Sequence, residues 1–192
     1  WWGSEGLRKE PSTSGKNSQD IIAERIGCVA KARLAGPFGH QGPSDHRVHY
    51  DAEKPGPWPR VFNADPRRTI RPRVLETERT GCVISPAEPT EGGIYYTETF
   101  VDLPAEREVV IAVQAALAVF VDDVEVLTRD PKEWGVWSRL AVHMRLSKGR
   151  HRIVGRVAGS STAIRLLRPD GRPLGIETSD DPAPPYVLTS PT

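Results

Sequence analysis

The sequence predicts a mainly β protein, an antiparallel β-sandwich carrying one short N-terminal helix. Three observations predict it. From residue 82 onward, runs rich in Val, Ile, Tyr and Thr recur with turn residues between them and no helical pattern among them. Leu140, Val142, Met144 and Leu146 alternate with Arg139, Ala141, His143 and Arg145, a period of two that belongs to a half-buried strand. Eighteen prolines and 17 glycines in 192 residues favour many short elements joined by turns.

Along the chain, residues 1–18 are polar after Trp1 and Trp2 and read as a flexible leader. Residues 19–35 change character. Ile22, Ile26, Val29 and Arg33 recur at helical spacing, Ser18 or Asp20 is placed to cap the start, and Gly36-Pro37 is placed to stop the helix. Residues 36–177 form the expected sandwich, clearest from residue 82. Its first part is irregular, with short strands expected near Arg47–Tyr50 and Thr69–Val74.

After the CVI run at 82–84 come GGIYYTETFVDL, REVVIAVQA and LAVFVDDVEVLT as successive strands. Asp122-Asp123 marks a tight hairpin, because Asp tolerates the left-handed conformation that such turns need. Lys148-Gly149 is expected to turn SRLAVHMRL back into HRIVGRVAG. AIRLL then leads through Pro169-Asp170-Gly171 into a short last strand. The proline-rich residues 178–192 show no strand pattern and read as a linker to a further domain.

Composition excludes some classes of function. Lys plus Arg is 26 against 25 Asp plus Glu, so no net field draws the chain to nucleic acid. The longest apolar stretch, Val109 to Val121, is broken by Gln114 and falls short of the roughly 18 to 20 residues needed to cross a bilayer, so no membrane insertion is expected. Opening on Trp1 with no signal sequence, the chain reads as a piece of a larger exported or cell-envelope protein. Cys28 and Cys82 fit either one disulfide in an oxidising compartment or two separate buried thiols.

GGIYYTETF (92–100), AVFVDDVEV (118–126), LSKGRHRIVGRV (146–157) and AIRLL (163–167) follow one another in an order and spacing that resembles PA14-type and galactose-binding-like jelly-roll modules of large bacterial envelope or multidomain proteins. The resemblance covers about 75 residues. It implies a jelly roll that binds carbohydrate or protein. Calcium-dependent lectins of that group carry paired aspartates just before the AVFVDDVEV strand, where this chain has Gln114-Ala115-Ala116-Leu117. Calcium wants several hard oxygen ligands and alanine supplies none, so no metal or other cofactor is expected.

Candidate ligand-binding residues are Trp134, Trp137, Tyr96 and Arg139. Trp134 and Trp137 sit in the loop WGVW, where an exposed indole offers a flat apolar face to a sugar ring or a partner side chain. The competing expectation is that they tuck under the loop and close one end of the sandwich. Tyr95 and Tyr96 are adjacent, so on a strand they point to opposite faces, one to the core and one to the surface. Asp122-Asp123 suits a hairpin better than a cation. In DHRVHYD (45–51), His49 and Asp51 share a strand face while His46 lies opposite, so only a loop could gather them with His40 around zinc. His143 and His151 flank Lys148-Gly149 and could approach each other across a hairpin.

No nucleophile elbow, phosphate-cradling loop or CxxC pair is present, and no catalytic pair stands out among Glu76, Glu78, Glu88, Glu91 and Glu98. No catalytic residue and no enzyme activity are expected. The leading expectation is a non-catalytic binding module for a carbohydrate or protein ligand, joined to other domains of its parent protein. A structural spacer or docking domain without a small ligand is the alternative. A hydrolase built on the His-rich segment 40–51 is a second.

Overall fold

The strand order follows from which side chains each strand must bury, and a computed structural model of the chain shows it for residues 25–39, 47–65, 68–76, 93–129, 141–158 and 162–187. Twelve strands occur among them: β1 (Lys31–Phe38), β2 (Phe62–Asp65), β3 (Arg68–Ile70), β4 (Arg73–Glu76), β5 (Ile94–Leu103), β6 (Arg107–Val113), β7 (Ala116–Val121), β8 (Val124–Thr128), β9 (Ala141–Leu146), β10 (Gly149–Ala158), β11 (Ile164–Leu167) and β12 (Thr178–Ser179). A large sheet runs β4-β1-β5-β10-β7-β8, with β12 also paired to β5. A smaller sheet runs β11-β6-β9, and β2-β3 form a separate ribbon. Every pairing is antiparallel.

In β6, Val109, Ile111 and Val113 are buried while Glu108 is exposed, the period-two signature of a strand with one face inward. These residues pack with Ile164 and Leu166 of β11 and Leu146 of β9. Across from them lie Val101 and Leu103 of β5, Val119 and Val121 of β7, and Ile153 and Val157 of β10. The two sheets therefore close one apolar core between them in a β-sandwich-like arrangement. Of the links from β5 to β11, only β7–β8 joins strands of one sheet; the others pass between sheets.

The central strands β5 and β10 are buried almost end to end, because the outer face of the large sheet is covered as well. There Phe38, Ile94, Tyr96, Phe120 and Val154 pack under Ala52, Trp58, Phe62 and Ile70. Phe38 makes edge contacts with Phe62 and Tyr96 at centroid distances of 5.5 and 5.4 Å. Trp58 is fixed by its indole N–H, which donates to Ala52 O at 2.9 Å.

Asp122 and Asp123 form the expected two-residue turn, both left-handed (φ 50° and 71°), joining β7 to β8. Other expectations are corrected. Of the described residues of 19–35, only Arg25 and Ile26 are helical, and residues 31–35 belong to β1. Lys, Ala, Arg and Leu favour helix, but burying Ala32 and Leu34 while the backbone pairs with both β4 and β5 outweighs that preference. Gly36-Pro37 lies inside β1 and shifts its register instead of ending a helix. A Cβ on Gly36 (φ +143°) would stand 2.5 Å from the Tyr95 ring, so only glycine fits.

Lys148-Gly149 does not close a hairpin, since β9 pairs with β6 while β10 pairs with β5 and β7. Residues 178–187 are docked on the large sheet, not free as a linker. Residues 47–50 are not strand, and a short 3-10 turn at Asp51–Glu53 follows them. The leader 1–18 and the CVI run lie outside the described residues. Among the described residues no helix is long and apolar enough to cross a membrane.

Candidate functional site

The outer face of the large sheet concentrates the buried charge of the described residues. Arg33 on β1 stands directly opposite Glu98 on β5, and Arg152 on β10 is one diagonal step away. Glu98 is fully buried and accepts from Arg33 Nη1 at 2.7 Å and from Arg152 Nε at 2.7 Å. Arg152 Nη1 also reaches Asp123 Oδ1 at 2.6 Å. Burial alone would lower the Arg152 pKa, but the charge of Glu98 and the hydrogen bonds to Glu98 and Asp123 outweigh it and raise it further.

The β7–β8 turn links this network to three other segments. Asp123 Oδ2 accepts the Gly56 backbone N–H at 3.0 Å and the Tyr186 hydroxyl at 2.7 Å, which ties loop 54–58 and the C-terminal segment to one carboxylate. Burial first, then the hydrogen bond to Asp123, push the Tyr186 phenol up to about 12. Asp122 Oδ1 accepts the Arg152 backbone N–H at 2.9 Å, and Asp122 Oδ2 lies 2.6 Å from His151 Nδ1. His151 Nε2 lies 2.8 Å from Ser147 O.

Both partners of this buried ring are acceptors, a carboxylate and a carbonyl, and such a pair favours the doubly protonated imidazolium. Burial would lower its pKa. The hydrogen bonds to Asp122 and Ser147 O, with the charges of Asp122 and Asp102, outweigh burial and hold it above the ordinary value.

A second cluster fastens residues 48–53 to the same face. Glu53 accepts from the Tyr96 hydroxyl, pairs with Arg156 Nη1 at 3.3 Å, and lies 2.5 Å from His49 Nδ1. Arg156 Nη2 donates to Val48 O at 2.8 Å. Beside this cluster, residues 51–63 enclose an open recess of about 290 Å³ with walls from Pro55, Pro57, Trp58 and Phe62, and with Lys54 and Asn63 as polar lining.

Of the residues singled out from sequence, Trp134, Trp137 and Arg139 lie outside the described residues. Tyr95 and Tyr96 do point to opposite faces, but both are buried, one in each apolar cluster. The expectation that one of the two faces solvent is corrected: segment 48–62 covers the outer face, and the Tyr96 ring lies beneath it, hydrogen-bonded to Glu53. His40, Asp45 and His46 lie outside the described residues. His49 is engaged by Glu53 and Asp51 by Lys54 at 2.8 Å, and no group of three potential metal ligands occurs among the described residues. His143 is exposed beside Glu108 on the smaller sheet, while His151 is buried on the larger one, so the two do not form a pair.

Sequence reasoning passed over Arg33, Glu98, Arg152, Trp58 and Tyr186. One signal was available. Arg150, Arg152 and Arg156 share one face of a Val/Ile-rich strand, where exposed charge would be unremarkable and buried charge demands partners.

Cys28 is disulfide-bonded, which decides between the two expectations for the chain's two cysteines in favour of a disulfide. No family model matches the chain, and neither a curated protein nor a solved structure matches it.

Proposed function

We propose that the chain is a non-catalytic jelly-roll module of the galactose-binding-like kind, part of a larger exported or envelope protein, and that it binds a carbohydrate or protein ligand. The observation that carries this reading is the recess beside Trp58. Pro55, Pro57 and Pro59 stiffen its wall, the largely buried Trp58 is held beside it by a hydrogen bond, and polar groups form the larger part of its lining. A pre-formed concavity of mixed polar and apolar lining suits a binding site, because little ordering entropy is lost on occupation. The Cys28 disulfide supports an oxidising compartment and hence export.

Intrinsic tryptophan fluorescence, with a quencher, titrated against cell-wall and plant polysaccharides tests the proposal. Trp58→Phe, Trp134→Phe and Trp137→Phe variants run alongside. A saturable change that vanishes in one variant establishes binding and locates the indole responsible. A flat response to every glycan in all variants removes the carbohydrate arm.

The spacer reading is favoured by a separate observation. Thr99 Oγ1 lies 3.3 Å from both Lys31 O and Ser179 O, so the first strand of the large sheet and the last one meet at a single hydroxyl. A fold whose first and last strands adjoin can be mounted at one point of a larger protein.

A further inference from the structure

Residues 178–187 lie on the large sheet as an extended peptide lies on a receptor. The β5 edge is paired with β1 only as far as Glu98. Beyond it, Thr178 pairs with Val101 and Ser179 with Phe100, so the segment adds a short strand to an edge that is otherwise open there. Arg150 is the next contact. Its guanidinium lies 4.7 Å above the Phe100 ring, holds Asp102 at 2.6 Å and donates to Asp181 O at 2.5 Å.

Tyr186 then anchors the far end. Its ring lies 6.1 Å from Phe100 and 5.7 Å from the Arg152 guanidinium, and its hydroxyl donates to Asp123. The Val187 N–H closes the contact on Arg150 O at 2.8 Å. Gly149 (φ +132°) leaves room for it, since a Cβ there would come within 3.0 Å of Val187 Cγ2.

The segment is built to be recognised cheaply. Pro182, Pro184 and Pro185 restrict it to extended conformations. Asp181 Oδ1 holds the Ala183 N–H at 2.9 Å, and Ser179 Oγ holds the Asp181 N–H at 3.0 Å, so its bend is fixed by its own side chains. Little freedom is lost on docking. Its contacts combine strand addition to a sheet edge with an aromatic anchor beside prolines, two established modes of peptide recognition. None of these contacts requires that the segment belong to the same chain.

We infer that this face is a peptide-binding seat for an extended, proline-rich segment carrying a tyrosine, filled in cis by residues 178–187, and that it accepts the same segment from a second copy of the chain. The seat adjoins the recess beside Trp58 through Asp123, which holds both Gly56 and Tyr186, but its test reads peptide binding and does not depend on carbohydrate binding.

The test uses the full chain carrying Tyr186→Ala, which weakens the cis segment and leaves the receptor side intact. A fluorescein-labelled peptide of residues 178–192 is titrated and its anisotropy read. One-to-one saturable binding is expected, at least about tenfold tighter than to the unaltered chain, whose own segment competes. The same peptide with Tyr186→Ala should bind at least about tenfold more weakly, and an Arg150→Met change in the receptor should weaken binding likewise. No binding to a Tyr186→Ala chain that still unfolds cooperatively, or equal binding by both peptides, overturns the proposal. Should Tyr186→Ala not fold, Tyr186→Leu keeps an apolar side chain while removing both the ring contacts and the Asp123 hydrogen bond. Failure of that chain to take the peptide overturns the proposal equally.

Discussion

The two faces of the large sheet are both buried and are held by opposite means. The inner face packs Val, Ile and Leu from two sheets, and its stability comes from apolar area removed from water. The outer face buries Arg33, Glu98, Arg152 and Arg156 beside its aromatic residues, and there each charge depends on particular partners. A hydrophobic contact tolerates some rearrangement, since any apolar neighbour will do. A buried ion pair does not, because removing one partner strands the other in a medium that cannot solvate it. The inner face therefore secures the fold, and the outer face secures the position of the segments laid across it: 48–62, the β7–β8 turn and 178–187.

The largest expected effect that sharpens this contrast is on the outer face. Glu98→Ala leaves Arg33 and Arg152 without their shared carboxylate and should cost about 3–5 kcal/mol in chemical denaturation. Replacing Arg33, Glu98 and Arg152 together by Met, Leu and Met should recover most of that loss, because no uncompensated charge remains. If the triple variant is as unstable as Glu98→Ala, the difference between the faces is not one of stranded charge.

On the inner face, Ile111→Ala should cost about 2–5 kcal/mol through lost transfer energy and the cavity left behind. It should leave Tyr186 protected from the solvent, whereas Glu98→Ala should expose it. Tyrosine absorbance difference spectra separate the two.

The pH dependence should report on the β7–β8 turn, whose Asp122 holds His151. The His151 pKa is raised in the fold, so the imidazolium's contribution is fully present below the ordinary value of 6.5 and is lost as pH rises through the folded value. Asp122 and Asp102 face the ring with negative charge, and Arg150 and Arg152 adjoin it on β10. Urea midpoints measured from below about pH 6 to about pH 9 should fall with rising pH, and His151→Gln should flatten that slope. A slope unchanged by His151→Gln would show that another group titrates. The smallest effect is Tyr186→Phe, which removes one hydrogen bond and should cost about 0.5–1.5 kcal/mol.

Much of the inner face was legible in the sequence. Val142, Met144 and Leu146 declare one face of β9 by alternation, and Asp122-Asp123 declares a turn by the backbone conformation Asp tolerates. The outer face was not. Nothing local to Glu98 or Arg152 says that residues 48–62 will cover them. The Trp134 and Trp137 loop lies outside the described residues and is neither supported nor opposed by this contrast.

By itself, then, the sequence determined which residues are strand from β5 to β11 and which side chains of β9 face inward, since both follow from a period of two set by local backbone geometry. Only the tertiary structure decided that β1 is strand and not helix, that β9 and β10 belong to different sheets, and that residues 178–187 return to the β5 edge. Each of those outcomes is fixed by a partner far away in the chain, and no local pattern reports the partner.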